Sequence, residues 1–239
     1  MELALGHHRD LFDGVSGVSG GDASESGTQT VTITITENES APTVTLYMKI
    51  NNLGYEYAST WINESDSSKS IRIEAKLSGA TDEDVTVALS TSGTATEGTD
   101  YTDGSGNLDD ITISAGSTTG SINFIRSDDS VYEGDETATI AISSVSGGSA
   151  TESGSQSVTI TIQDNESAGS VTLTVSATSI AENAGTSLTI TATLSSTSDE
   201  DVTVALSTSG TATEGTDYTD GSGAIDDITI SAGSTTGTV

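Results

Sequence analysis

The 239-residue chain has no cysteine, one proline, two histidines, and six lysines and arginines in total. Each shortage excludes something. Without cysteine there is neither a disulfide framework nor thiolate chemistry. Six scattered cations cannot build a basic face, so nucleic acid and anionic membrane surfaces are excluded as partners. No apolar run approaches the roughly 20 residues that a membrane span requires. His7 and His8 are adjacent in an unpatterned N-terminus, and no nucleophile elbow, zincin helix or phosphate loop is present. The expectation is that the chain is not an enzyme. Met1 to Gly14 lacks the basic start and apolar stretch of a secretion signal, so any export signal is expected outside this chain.

What the chain has in excess is acid. Its 36 Asp and Glu leave a formal net charge of -30, a surface that repels itself and calls for counter-ions. High charge with 4% aromatics also suits a disordered segment. The patterning argues otherwise: Thr and Ser alternate with Val, Ile and Leu in many short runs, the period of strands with one buried face.

An internal repeat sets the architecture. DEDVTVALSTSGTATEGTDYTDGSG runs from Asp82 to Gly106 and recurs unchanged from Asp199 to Gly223. ITISAGSTTG recurs at the same spacing, starting at Ile111 and Ile228. A second correspondence aligns ESGTQTVTITITENES, from Glu25, with ESGSQSVTITIQDNES, from Glu152; extra residues around Tyr47 to Thr60 account for most of the offset between the two spacings. Near-identical units in series form an array in which each contacts mainly its neighbours. The reading is an N-terminal segment with the last strand of an incomplete repeat (1–40), a complete repeat (41–167) and an incomplete repeat holding the first four strands (168–239).

Alternation predicts seven strands in the complete repeat: 43–50, 70–77, 84–90, 111–114, 120–125, 137–143 and 156–163. Short strands between Gly, Ser and Asp turns make an all-β fold of tandem antiparallel, immunoglobulin-like sandwiches. About 125 residues suffice for one core of Val, Ile and Leu.

Four segments of this repeat carry a resemblance: GTATEGTDY from Gly93, ITISAGSTTGSI from Ile111, DDSVYEGDETATIAIS from Asp128, and VTITIQDNES from Val158. Together they resemble the Calx-beta domain, found in sodium/calcium exchangers, integrin β4 and long bacterial surface proteins. In calcium-binding members, ions sit at one pole of the sandwich. The resemblance implies Glu64, Asp100, Asp128, Asp129, Glu133, Glu136, Asp164 and Glu166, with Asn165, as ligands, and Glu182 and Asp217 in the C-terminal unit. Ser130 and Asn165 stand where the family often carries acids. Ca²⁺ accepts six to eight oxygens in flexible geometry, whereas Zn²⁺ prefers His or Cys and Mg²⁺ keeps its waters.

The implied function is a calcium-ordered spacer or adhesive segment of an extracellular or cell-surface protein. Its partners would be neighbouring repeats and a cell-surface or matrix ligand. At each joint, Asp164 to Glu166 is expected near Asp199 to Asp201, and Glu37 to Glu39 near Asp82 to Asp84. An alternative is a filament in which residues 28–37 of one chain complete the C-terminal unit of the next, with 1–15 filling a further strand position. Regulatory calcium sensing lacks any visible effector domain. The Asn38, Asn63 and Asn165 glycosylation patterns are read as turn and ligand residues, and threonine rows such as Thr30 to Thr36 as ordinary outward strand residues. Trp61 and the tyrosines at 47, 55 and 57 are given a local packing role.

Overall fold

The computed structural model describes residues 9–14, 17–24, 26–27, 29–35, 40–51, 59–182 and 185–239. Among them the alternating sequence forms strands throughout. An N-terminal hairpin pairs β1 (Arg9–Gly14) with β2 (Thr30–Ile35) in antiparallel register.

The next ten strands build one sandwich. They are β3 (Thr43–Ile50), β4 (Ser59–Asn63), β5 (Ile71–Leu77), β6 (Val85–Gly93), β7 (Tyr101–Thr102), β8 (Ile111–Ile113), β9 (Thr119–Arg126), β10 (Glu136–Ser146), β11 (Thr151–Glu152) and β12 (Ser157–Gln163). One sheet has the order β4-β12-β10-β6-β8 and the other β11-β3-β5-β9-β7. Every second residue of each strand turns inward. Val44, Met48, Ile71 and Ile73 of one sheet meet Val85, Ile113, Ile140 and Ile160 of the other in a single core, all at most 1% exposed. At roughly 25 cal/mol per Å² of apolar surface, each such residue contributes about 1.5–3 kcal/mol by leaving water.

Three of these strands depart from the seven expected. β7 and β11 are two-residue pairings, and β4 starts at the end of the extra segment around Tyr47 to Thr60 and runs past it. β4 pairs in parallel with β12, and β11 in parallel with β3. The first strand of the unit therefore starts in one sheet as β3 and continues in the other as β4, and the last strand makes the same switch beside it, from β11 to β12. Tyr47 is buried and donates to Glu74, which also accepts 2.9 Å from Lys49 Nζ. Trp61, by contrast, is 62% exposed on the outer strand β4, so the packing role expected for this group holds for Tyr47 and fails for Trp61. Tyr55 and Tyr57 lie outside the described residues.

The third group of strands is β13 (Val171–Val175), β14 (Ile190–Leu194), β15 (Val202–Val204), β16 (Ile228–Ile230) and β17 (Thr236–Thr238). They form the sheets β13-β14-β17 and β15-β16 around a small core of Ala192, Leu194, Ile228 and Ile230. Five strands stand here, where four were expected.

The duplicated stretch shows which structure is local. Thr96 N–H donates 2.5 Å to Asp100 Oδ2, and Thr213 N–H donates 2.6 Å to Asp217 Oδ2. Ala115 N–H reaches Asp84 and Ala232 N–H reaches Asp201, both at 2.8 Å. These turns form identically from identical residues. The strands do not: β6 has nine residues and its copy β15 has three. β6 lies between β8 and β10, whereas β15 pairs only with β16 among the described strands. Strand length follows the partner rather than the sequence.

Candidate metal centre

Backbone pairing brings the acids together. β4 and β12 run side by side in parallel, with Asn63 opposite Gln163, so the next residues of both, Glu64 and Asp164, leave the sheet at one pole. Glu64 N–H donates 3.1 Å to Gln163 C=O. Asp100 is set in the turn ahead of β7 by Tyr101, which is 1% exposed and stacks on Phe124 with ring centroids 4.9 Å apart. The Tyr of the DY motif thus anchors the Asp. The loop from Asp128 to Glu136 joins β9 to β10 at the same pole. Asp164 holds it there, accepting from Glu133 N–H at 2.7 Å and Gly134 N–H at 2.6 Å. Gly134 has φ +78°, which supports this turn without steric cost.

Two carboxylate triads result. Glu64, Asp164 and Glu166 form one, and Asp100, Glu133 and Glu136 the other; within each, one oxygen from every residue lies within 4.8 Å of the others. Glu64 and Asp100 are 8% and 9% exposed. The ion pairs among the described residues join Lys49 to Glu74 and Lys69 to Asp66, so neither triad has a cationic side chain.

The electrostatics record the crowding. Burial, together with the facing Glu166 carboxyl and the Asp164 charge, pushes Glu64 up to about 8. Burial and the charges of Asp100, Asp129, Asp199 and Asp164 raise Glu133 to about 7. Burial, Asp100, Glu133 and Asp199 do the same for Glu136, also to about 7. Asp164 moves the other way: burial works against ionisation, but the N–H donors of Gly134, Glu166 and Glu133 outweigh it and hold the carboxyl below its usual range.

These donors fit a hard divalent cation. All are carboxylate oxygens from distant segments, and no His is among them. Glu166 Oε2 is a buried atom with no hydrogen-bond partner among the described residues, and Glu166 is one of the three acids of the first triad.

Of the residues named from sequence, six fall in the triads. Asp128 lies instead on a neighbouring cleft of about 560 Å³ shared with Glu64, Lys69 and Arg126. Asp129 accepts from Val131 N–H at 2.7 Å and acts on Glu133 through its charge. Asn165 caps the pair, its side-chain N–H₂ donating 2.7 Å to Glu166. Glu182 and Asp217 are exposed and line one cleft of about 550 Å³, but join no three-acid group among the described residues.

The joint between the two sandwiches differs in detail from expectation. The contact to the 197–201 turn is made chiefly by the acidic loop rather than by Asp164 to Glu166. Tyr132 bridges Ser198 in parallel; Tyr132 N–H donates 3.1 Å to Thr197 C=O, and Asp199 N–H 3.4 Å to Tyr132 C=O. The reach of Ser130 to Tyr132 beyond the pole puts Asp199 close enough to act on Glu133 and Glu136. Sequence reasoning placed Asp199 at the joint but not at this site. Glu37 to Glu39, expected near Asp82 to Asp84, lie outside the described residues.

The Calx-beta domain model matches residues 49–166 and again 164–236. No curated protein matches the chain. Among solved structures, the apo-form Calx CBD1 domain is 20% identical over 51% of this chain and 98% of its own, with a TM-score of 0.38. The calcium binding domain CBD12 of CALX1.1 is also 20% identical, over 80% of this chain and 73% of its own, with a TM-score of 0.38. A two-domain protein of unknown function from Bacteroides fragilis is 11% identical over 68% of each chain, with a TM-score of 0.34.

Proposed function

Because the chain belongs to the Calx-beta family, we propose that it is a calcium-binding structural segment, a spacer or adhesive stretch of an extracellular or cell-surface protein. The observation that carries this reading is the pair of uncompensated carboxylate triads at one pole, one containing the buried, unpartnered Glu166 Oε2. Glu64, Asp164 and Glu166 would hold one ion, and Asp100, Glu133 and Glu136 a second. Calcium supplies positive charge that lets these carboxylates stay ionised at close range. Asp164 ties the acidic loop to the last strand, and Asp100 is fixed by the buried Tyr101.

The same pole faces the next unit. The loop that presents Glu133 also carries Tyr132, which bonds to the following sandwich. Repulsion between Asp199 and the Glu133–Glu136 pair opposes that contact while the site is anionic. Neutralising the site therefore stiffens the joint, and a string of units becomes a rod.

Calorimetry of the chain in EGTA and in excess calcium tests the binding. A substantial rise in Tm with calcium is expected, since a ligand that binds only the folded state stabilises it by mass action; identical melting in both would refute the proposal. Small-angle scattering tests the joint. The maximum dimension should lengthen and sharpen with calcium, and an unchanged distribution would remove the rod from the reading.

A further inference from the structure

We infer that the outward face of β4, β12 and β10, with Trp61 at its margin, binds an uncharged polysaccharide. The inference rests on the adhesive part of the proposed function and names the chemical class of the ligand; it draws nothing from the calcium site.

The first argument is an aromatic ring that the fold does not use. On β4, Ile62 turns inward and is fully buried, while Trp61 turns outward and is 62% exposed. Aligned on Ile62 with Ile180 and on Glu64 with Glu182, the following repeat carries Ser179 in the place of Trp61. The repeat therefore needs no aromatic ring at this position. An exposed indole gains by being covered, and Trp is enriched among the residues that carry binding energy.

The second argument is what surrounds the ring. Strand pairing sets Trp61 beside Thr161 and Thr161 beside Thr137, and the adjacent row is Ser59, Thr159 and Thr139. The hydroxyls of Thr139 and Thr159 lie 3.1 Å apart. Each such hydroxyl can both donate and accept. None of the outward positions of these strands is ionisable, from Ser59 to Asn63, Thr137 to Ala141 and Ser157 to Gln163. The other sheet differs, with Lys49, Arg72 and Lys76 at outward positions of β3 and β5. A neutral face thus stands on a chain whose net charge is -30.

These features select the ligand. A polyanion is repelled by the surrounding acids, and a polycation is drawn to the carboxylates and away from this face. A sugar ring offers an apolar C–H face to the indole and hydroxyls around its rim to the Thr and Ser rows. The three strands span two inter-strand spacings, about 10 Å. That width exceeds one sugar ring and suits a chain of linked sugars.

Trp61 is the only tryptophan of the chain, so its fluorescence reports on this face alone. Dextran, mannan and laminarin are each added to the whole chain in calcium. At least one should shift the emission to the blue, saturably and equally in low and high salt. In affinity electrophoresis through that polysaccharide, Trp61→Ala should bind at least about tenfold more weakly, and Thr161→Glu, which puts a charge on the face, should do the same. Trp61→Ala should keep the calcium-induced rise in Tm, which shows that the unit still folds. An emission that none of the three polysaccharides moves overturns the inference, as does retention that survives Trp61→Ala. A blue shift produced by protein concentration alone would mean that a second copy covers the face, and overturns it as well. Adhesion of wild type and Trp61→Ala alike to collagen or hyaluronate would keep the adhesive reading and overturn this one. Melting unaffected by calcium would refute the calcium reading and leave the emission shift standing.

Discussion

At the scale of single residues, the site works through acids whose native surroundings penalise their charge. Glu64, Glu133 and Glu136 hold their protons more tightly folded than unfolded, at about 8, 7 and 7 against 4.5. The folded state then binds more protons than the unfolded one between pH 4.5 and 8, so without calcium stability must fall as pH rises through that window. Melting in EGTA should therefore be highest near pH 5 and lowest near pH 8. In excess calcium the slope should flatten or reverse, because the ion competes with the protons for the same oxygens. Thermal scans from pH 5 to 8 in both buffers check this. Glu64→Gln separates the two states of the site. It relieves the fold of keeping that carboxyl protonated against its ordinary preference, so the calcium-free protein near neutral pH should gain on the order of 1 kcal/mol, while most of the calcium-induced rise in Tm disappears. A variant that loses stability in both buffers would show Glu64 to be an ordinary structural residue.

At the scale of elements, the repeat depends on one close crossing. A Cβ on Gly120 would lie 2.3 Å from Thr112 C=O, and on Gly237 2.4 Å from Thr229 C=O. Both positions bring a strand of one sheet against the edge of the other, where only hydrogen fits. Gly120→Ala should cost about 1–3 kcal/mol, measured by urea unfolding with calcium present. Elements of this kind were legible in the sequence to different degrees. Residues 43–50 alternate cleanly, and β3 has those bounds. β4 was not legible, because STWIN becomes a strand only by pairing with residues about a hundred positions later. The same non-local pairing brings Glu64 beside Asp164. Turn chemistry was readable, being local: the hydrogen bonds of Asp100 and Asp217 are repeated letter for letter. Which acids converge was not a matter of composition. Asp128 and Asp129 belong to the same motif as Glu133, yet lie outside the triads.

At the scale of the whole molecule, one sequence stands in two contexts. Tyr101 is buried under a closed sandwich, while its copy Tyr218 is half-exposed beside an open one. Nitration should modify Tyr218 well before Tyr101, and peptides holding Asn107-Leu108 or Ala224-Ile225 tell the two apart by mass. Equal rates in monomeric chain would mean that the second unit closes in solution. The charge of -30 acts at this scale too. It keeps free surfaces apart by mutual repulsion, which added salt screens.

The paired first and last strands of the complete unit carry a mechanical consequence. The chain enters at Thr43, held by β11, and leaves past Gln163, held by β4; both holds are parallel pairings along the direction of the backbone. Tension between entry and exit would load these bonds together in shear instead of peeling them one after another. A unit built this way yields abruptly and at high force.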